Sequence, residues 1–148
     1  MIKLIFVFLV LIAGMLAPVQ AGVNFILSQY VKSFFMAALV SFIVGTIGLF
    51  LFCIITGVNF PSLENISSSP WWIWFGGLCG AFLVTVTIAA VPKLGATTMF
   101  ALFLAGQMLA SLLLDHFGLL NYPIHPLNIW RVVGVILLFL GVFLIKKY

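Results

Sequence analysis

Gly95–Gly118, which reads GATTMFALFLAGQMLASLLLDHFG, is the stretch of sequence that decides the fold. As a helix, residues 96–117 would be about 33 Å long, which matches the hydrocarbon core of a bilayer at about 30 Å. Its apolar run is interrupted at intervals of four by Gln107, Ser111 and Asp115. Because side chains four residues apart share one face of a helix, the sequence predicts a transmembrane helix with one polar stripe.

This stripe is expected to face other helices or a cavity, because polar groups are costly against lipid. For Gln107 and Ser111, two interpretations stay open: hydrogen bonds between helices, or the lining of a pathway for substrate or ions. Asp115 is one of two acidic residues in the chain, and an acid on a membrane helix is a functional-site hypothesis by default, for a proton or a cationic group. The alternative for Asp115 is a hydrated position at the helix end.

The composition excludes a soluble globular protein. Of the 148 residues, 66% are hydrophobic and 5% are charged, whereas soluble domains carry about 25% charged residues. Apolar runs of about 20 residues follow one another with short connections, so nearly all of the chain is expected to lie in membrane lipid, without a soluble catalytic domain. The net charge of +4 comes from six scattered bases, which is not the footprint of a nucleic-acid-binding protein.

No cofactor, metal site or catalytic group is predicted, and the chain is not expected to be an enzyme. Cys53 and Cys79 lie within apolar runs, where cysteine behaves as a small hydrophobic residue, and two cysteines with two distant histidines lack metal-ligand spacing. The sequence has no phosphate-binding loop for a nucleotide. An intramembrane aspartyl hydrolase needs two carboxylates, but Glu64 lies in a predicted loop.

The first predicted helix, residues 3–31, carries a second polar stripe. Gln20, Asn24 and Ser28 repeat at intervals of four, close to a kink expected at Pro18, and kinked membrane helices often line cavities. Alternatively, Gln20 and Asn24 satisfy the carbonyls that the proline releases. A secretory signal peptide cleaved after Ala21 is a competing interpretation, but the apolar pattern continues past that point, which favours a retained helix.

Three further helices, at residues 34–56, 71–91 and 129–145, bring the predicted number of membrane spans to five. Trp71, Trp72 and Trp74 open the third span, where aromatic residues typically anchor at the membrane interface; a cation-binding aromatic box is the alternative. Pro92 and Gly95 predict a tight turn between the third and fourth spans. The whole chain, residues 1–148, is predicted to be one all-α, polytopic transmembrane domain.

Small residues mark the helix faces expected to pack closely. They lie on the second, third and fifth spans, and Gly76 and Gly80 have GxxxG spacing. The residues predicted for helix packing are Gly45, Gly76, Gly77, Gly80, Gly134 and Gly141.

Five crossings would put the two termini on opposite sides of the membrane, with weakly biased charge. The amino-terminal side would carry two bases and the opposite side four. They are Lys3 and Arg131 against Lys32, Lys93, Lys146 and Lys147. Orientation follows the Lys/Arg excess in short loops, so the count favours the side with four bases as cytoplasmic. The bias is weak, and it marginally permits insertion in both directions.

Five motifs together carry a resemblance to a known family. They are Gly14-x-x-x-Pro18-Val-Gln20-Ala-x-x-Asn24, Ser41-Phe-x-x-Gly45-Thr, Trp71-Trp72-x-x-x-Gly76-Gly77-x-x-Gly80-Ala81-Phe82, Pro92-Lys-Leu-Gly95-Ala-Thr97 and Ala105-Gly106-Gln107-x-x-x-Ser111-x-x-x-Asp115-His116-Phe-Gly118. Spread over essentially the whole chain, they resemble the small YdcZ-like branch of the drug/metabolite transporter superfamily.

This resemblance implies a multi-pass protein of the bacterial inner (cell) membrane. It also implies that the chain is one five-helix unit, half of the inverted-repeat architecture of larger superfamily members. Within the family's motifs, the polar positions that this resemblance implies for function are Gln20, Asn24, Gln107, Ser111 and Asp115.

The leading functional hypothesis is a secondary transporter that exports a small metabolite or drug-like molecule. A single five-helix unit has too few helices to enclose a site between inverted halves, so a partner is expected, either a second copy in antiparallel orientation or another five-helix chain. The third and fourth spans are favoured for the contact. The alternative is a non-transporting membrane subunit that packs against a larger partner, with the same glycine faces but without a continuous cavity.

Overall fold

The structure is a computed structural model that describes residues 2–147 and, within them, every side chain except that of Leu63. The described residues form α-helices and short 3-10 turns, without a β-strand. The helices are α1 (Ile2–Val31), α2 (Phe34–Thr56), α3 (Leu63–Ser67), α4 (Phe75–Leu94), α5 (Ala96–Phe117) and α6 (Ile129–Lys147). The 3-10 turns are Trp71–Trp74, directly before α4, and Leu119–Asn121, after α5.

Within residues 2–147, five helical segments are long and apolar enough to cross a membrane. They correspond to α1, α2, Trp71–Leu94, α5 and α6. The prediction of an all-α chain with five spans is therefore confirmed. Most large apolar side chains on these helices are exposed, as is expected when the surrounding solvent is lipid rather than water.

Local sequence signals explain where the helices begin and end. Ser33 precedes α2, and its hydroxyl accepts a hydrogen bond from the Met36 N–H at 3.3 Å, which satisfies one free donor of the first turn. Gly57 and Gly118 end α2 and α5 with φ of 66° and 61°, the left-handed conformation that glycine adopts most readily. Asn128 caps α6, because its Oδ1 accepts from the Arg131 N–H at 2.9 Å.

The turn after the third span differs from the prediction. The helix was expected to end at Val91, before Pro92, but α4 continues through Pro92 to Leu94. Proline removes one N–H from the helix ladder, and this loss is tolerated in the last turn. The chain instead turns at Gly95, a single residue with φ of 76°. The connection 57–70 also differs from a plain loop, since it contains α3, capped by Ser62.

The chain divides into two compact units, Met1–Pro92 and Lys93–Tyr148. In the first unit, α1 and α2 pack along each other, and the buried residues Ala37, Ala38 and Ile88 bring α2 and α4 together. Phe25, Leu27, Val31 and Val84 pack against this cluster. Small alanines at the centre allow the helix backbones to approach closely.

The second unit is a helical hairpin in which α5 and α6 pack against each other. Side chains near the end of α5 contact side chains near the start of α6, so the two helices run antiparallel. An ordered loop, residues 118–128, joins them. Ile124 folds back over Gly118, where an added Cβ would lie 2.7 Å from the Ile124 Cγ1.

Candidate functional site

Two regions, one in each unit, hold the polar residues that the sequence analysis singled out. In the first unit a groove of about 440 Å³ runs between α1 and α2, and we call it the α1–α2 groove. Its walls are Leu16, Val19, Gln20, Val23, Asn24, Leu27, Val40, Ser41 and Val44. In the second unit, an ion pair links the end of α5 to the start of α6.

Asn24 belongs to the α1 stripe, lines the groove and is buried. Its side chain is 4% exposed, and its Nδ2 has no hydrogen-bond partner among residues 2–147. The nitrogen therefore does not satisfy a carbonyl released by Pro18, which was one interpretation of this residue. A buried amide donor without an acceptor is unfavourable by about 1–3 kcal/mol, so its retention calls for an explanation.

The other residues of the α1 stripe differ from Asn24. Ser28 is equally buried, but its hydroxyl donates to the Phe25 carbonyl at 2.6 Å, so its polar group is satisfied within the helix. Gln20 lies on the groove wall and is exposed. Ser41 of α2 lies on the opposite wall and is partly buried. The groove therefore combines aliphatic walls with three polar side chains.

On α5, the predicted stripe separates into an exposed part and a paired part. Gln107 and Ser111 are exposed on the surface of the chain. Asp115, one turn further along, is partly buried and forms an ion pair. That Gln107 and Ser111 line a pathway for substrate or ions stays a prediction.

Asp115 forms an ion pair with Arg131. This pairing was not predicted from the sequence. Arg131 Nη1 lies 3.3 Å from Asp115 Oδ2, with the two side chains 30% and 29% exposed. The same nitrogen donates to the His125 carbonyl at 2.9 Å, and the His125 N–H donates to the Asp115 carbonyl at 2.9 Å. The guanidinium therefore joins both helix ends to the loop between them.

His116 fixes the other side of the same loop. The Leu127 N–H donates to His116 Nδ1 at 3.2 Å, which requires that this nitrogen carry no proton, so the neutral ring has its hydrogen on Nε2. The His116 ring also contacts the Phe117 ring edge to face, with centroids 4.7 Å apart. Together with the Asp115–Arg131 ion pair, these contacts make residues 118–128 an ordered connection.

A groove between α5 and α6 lies next to this ion pair. Its volume is about 370 Å³, and we call it the α5–α6 groove. Its walls are Leu104, Met108, Leu112, Arg131, Gly134, Val135 and Leu138. Apart from Arg131, these residues are apolar.

The glycines predicted for helix packing fall into two groups. Gly80 meets α2, because an added Cβ would lie 3.4 Å from the Phe42 ring. At each of the others, an added Cβ would meet nothing within 4 Å among the described atoms. These are Gly45, Gly76, Gly77, Gly134 and Gly141. Close packing at these positions stays a prediction.

The tryptophans that open the third span are all exposed. Trp71 contacts Phe75 edge to face, with ring centroids 5.8 Å apart. In this 3-10 turn the three indoles form no closed aromatic box among the described ring contacts. Their role as interface anchors stays a prediction. Among residues 2–147, no cluster of three His, Cys, Asp or Glu side chains is placed to hold a metal ion.

Comparison with known proteins gives a family match and a relative. The model of a family described as "Putative inner membrane exporter, YdcZ" matches residues 5–144. The chain is also similar to "Inner membrane protein YdcZ" of Escherichia coli (strain K12), with 34% identity over 84 residues. That alignment covers 57% of this chain and 56% of the relative, so the match spans little more than half of either protein. No solved structure matches the chain.

Proposed function

This chain belongs to the YdcZ inner membrane exporter family, and from that premise we propose that it exports a small metabolite or drug-like molecule by alternating access, as a dimer. It is a multi-pass protein of the bacterial inner membrane, in keeping with its family and its five spans. The observation that carries the proposal is the α1–α2 groove, where the buried amide of Asn24 has a donor without a partner.

A polar group buried without a partner is costly, and within a membrane it marks a functional position by default. The residues proposed for the substrate pathway are Gln20 and Asn24 in the first unit and, separately, Gln107, Ser111 and Asp115 in the second. Asp115 enters this pathway as a carboxylate paired with Arg131. A coupling proton would therefore compete with Arg131 for the Asp115 carboxylate.

The exposed polar residues of α5 support the proposed dimer. Gln107 and Ser111 lie on the surface of the chain, where lipid offers no hydrogen bonds. A second copy that covers them would satisfy these groups and supply the other half of an inverted architecture. An antiparallel pair is proposed, since the Lys/Arg bias between the two sides is weak.

The test uses purified protein in proteoliposomes loaded with a metabolite extract, and mass spectrometry of the external medium. Wild-type protein is expected to release particular compounds faster than protein-free vesicles do. The Gln107→Leu variant is expected to lose this release, whereas Cys79→Ala, an exposed site outside the pathway, retains it. Equal release from wild-type and protein-free vesicles would contradict transport.

A second candidate function is a membrane subunit that does not transport. The open glycine faces favour it, because Gly76, Gly77, Gly134 and Gly141 have free space beside them, which a larger partner would fill. This alternative predicts a stoichiometric protein partner after mild detergent extraction and no release from proteoliposomes that contain this chain alone.

A further inference from the structure

The α1–α2 groove has a chemical character that limits what it can bind. Of its walls, Leu16, Val19, Val23, Leu27, Val40 and Val44 are aliphatic. The polar remainder is uncharged, being the two amides of Gln20 and Asn24 and the hydroxyl of Ser41. A charged ligand would lack a countercharge in an environment of low dielectric constant, which is strongly unfavourable.

The groove also contains an unused hydrogen-bond donor. Asn24 is buried, with 4% of its surface exposed. Its Nδ2 nevertheless has no acceptor among residues 2–147. Four residues along the same helix face, the buried Ser28 hydroxyl has its acceptor within α1. The two buried polar groups on this face therefore differ, since the Ser28 hydroxyl is bonded and the Asn24 donor on the groove wall is not.

We propose that the α1–α2 groove binds a neutral, largely apolar molecule with a hydrogen-bond acceptor such as a carbonyl, and that Asn24 donates to this acceptor. This inference rests on the proposed export function and names the substrate class of that site. The groove volume of about 440 Å³ falls within the range of roughly 300–1,000 Å³ that is usual for small-molecule sites.

The Asn24 side chain can reach such a ligand by a small rotation. Its Nδ2 lies beneath the groove surface, with almost no accessible area. Rotation about χ2 of asparagine is soft, and a half-turn exchanges the two ends of the planar amide. In the rotated form we expect the NH₂ group to donate to the acceptor of a ligand in the groove that Asn24 lines.

Photolabelling with benzophenone tests this proposal directly. Benzophenone is neutral and apolar and has one carbonyl acceptor, and on illumination it attaches covalently to nearby C–H groups. Purified full-length protein is labelled in lipid-free detergent and in lipid nanodiscs, and the labelled positions are mapped by mass spectrometry. The α5–α6 groove, which has comparable apolar walls, serves as the internal reference.

The variants separate a binding role of Asn24 from a structural one. Asn24→Leu keeps the approximate size but removes the donor, and it is expected to lower labelling at Val19, Val23 and Val40, relative to the α5–α6 groove, by about tenfold, the effect of one hydrogen bond. Ser28→Ala is the matched control, because it removes a buried hydroxyl from the same face that is already bonded within the helix. It should leave the ratio unchanged.

Each result decides the question. A labelling ratio unchanged by Asn24→Leu, or lowered equally by Ser28→Ala, overturns the proposal. Labelling that is strong in detergent but lost in nanodiscs assigns the groove to the ester carbonyl of a lipid and overturns a substrate site there. Labelling that depends on Asn24 in both media supports the site, even if the proteoliposomes show no release, in which case the export function alone is contradicted.

Discussion

At the scale of single residues, the Asp115–Arg131 ion pair joins two helix ends through one guanidinium nitrogen. Arg131 Nη1 contacts both the Asp115 carboxylate and the His125 carbonyl. Both side chains are about 30% exposed. We therefore expect the contribution of this ion pair to stability to be intermediate. Exposed pairs contribute about 0–1 kcal/mol, and breaking a buried pair costs about 3–5 kcal/mol.

We expect Asp115→Asn to lower the free energy of unfolding by roughly 1–2 kcal/mol. The variant replaces the carboxylate by a neutral amide, so the partly buried guanidinium loses its countercharge. The measurement is denaturant or thermal unfolding of the purified protein in detergent. Glu64→Gln, which neutralises the other acid at an exposed position in the short helix α3, is the control and should change stability little.

A double-mutant cycle with Arg131→Gln isolates the pair itself. The effects of Asp115→Asn and Arg131→Gln are expected to be non-additive, since the second change removes the charge that the first leaves unpaired. Additive effects would show that the two side chains stabilise the loop independently of each other.

The sequence could identify Asp115 but not its partner, and the reason lies in the loop. Asp115 and Arg131 are separated by residues 118–128, in which Gly118, Leu120 and Asn121 all have positive φ. Leucine rarely adopts this conformation. The loop conformation that brings Arg131 close to Asp115 could therefore not be predicted from the local sequence. The burial of Asn24 was anticipated from its spacing, whereas its lack of a partner depends on the packing of α1 and α2.

At the scale of helices, the apolar runs determine the spans because the bilayer requires a minimum length and hydrogen-bonded backbone. This physical constraint is strong, and for this reason the helix bounds could be predicted within a few residues. The predicted end of the third span at residue 91 was wrong, because proline usually ends a helix but Pro92 here occupies the last turn of α4. The short helix α3 was missed because a five-residue helix leaves almost no periodic signal.

The end of α5 depends on glycine at position 118. Gly118→Ala is expected to destabilise the protein by roughly 1–3 kcal/mol, because the residue has φ of 61° and the new Cβ would lie 2.7 Å from Ile124. Gly48→Ala, within α2 and with open space around its Cβ, should be neutral or stabilise by about 0.5–1 kcal/mol. The midpoints of thermal unfolding compare the two, and similar losses for both would refute the role assigned to the turn.

The helix α1 is expected to remain in the mature protein. It continues without interruption from Ile2 through Pro18 and the possible cleavage point at Ala21 to Val31, and Ala21 itself is buried. The intact mass of protein purified from membranes provides the measurement. A mature chain that begins at Gly22 would show instead that the first segment is a signal peptide.

At the scale of the whole molecule, the polar side chains that remain exposed set the requirements for assembly. Gln107 and Ser111 lie on the surface of α5, and each needs a hydrogen-bond partner in lipid. The sequence could place them on one helix face, but the identity of the chain that covers them is a property of the assembly. Helix periodicity carries no information about a partner, so the dimer remains a proposal.

The last prediction concerns the orientation of the chain, because five crossings would place the carboxyl terminus opposite the amino terminus. With two bases on one side and four on the other, insertion is expected in both directions, with the carboxyl terminus more often cytoplasmic. Reporters fused to the carboxyl terminus, one active only in the cytoplasm and one only in the periplasm, measure the distribution. Replacing Lys32 and Lys93 by glutamine equalises the count at two against two, so the reporter signals should move toward equality, whereas Cys53→Ala and Cys79→Ala together leave them unchanged. A signal confined to one side in both the wild type and the lysine variant would exclude an antiparallel homodimer and leave a parallel pair or an inverted partner chain.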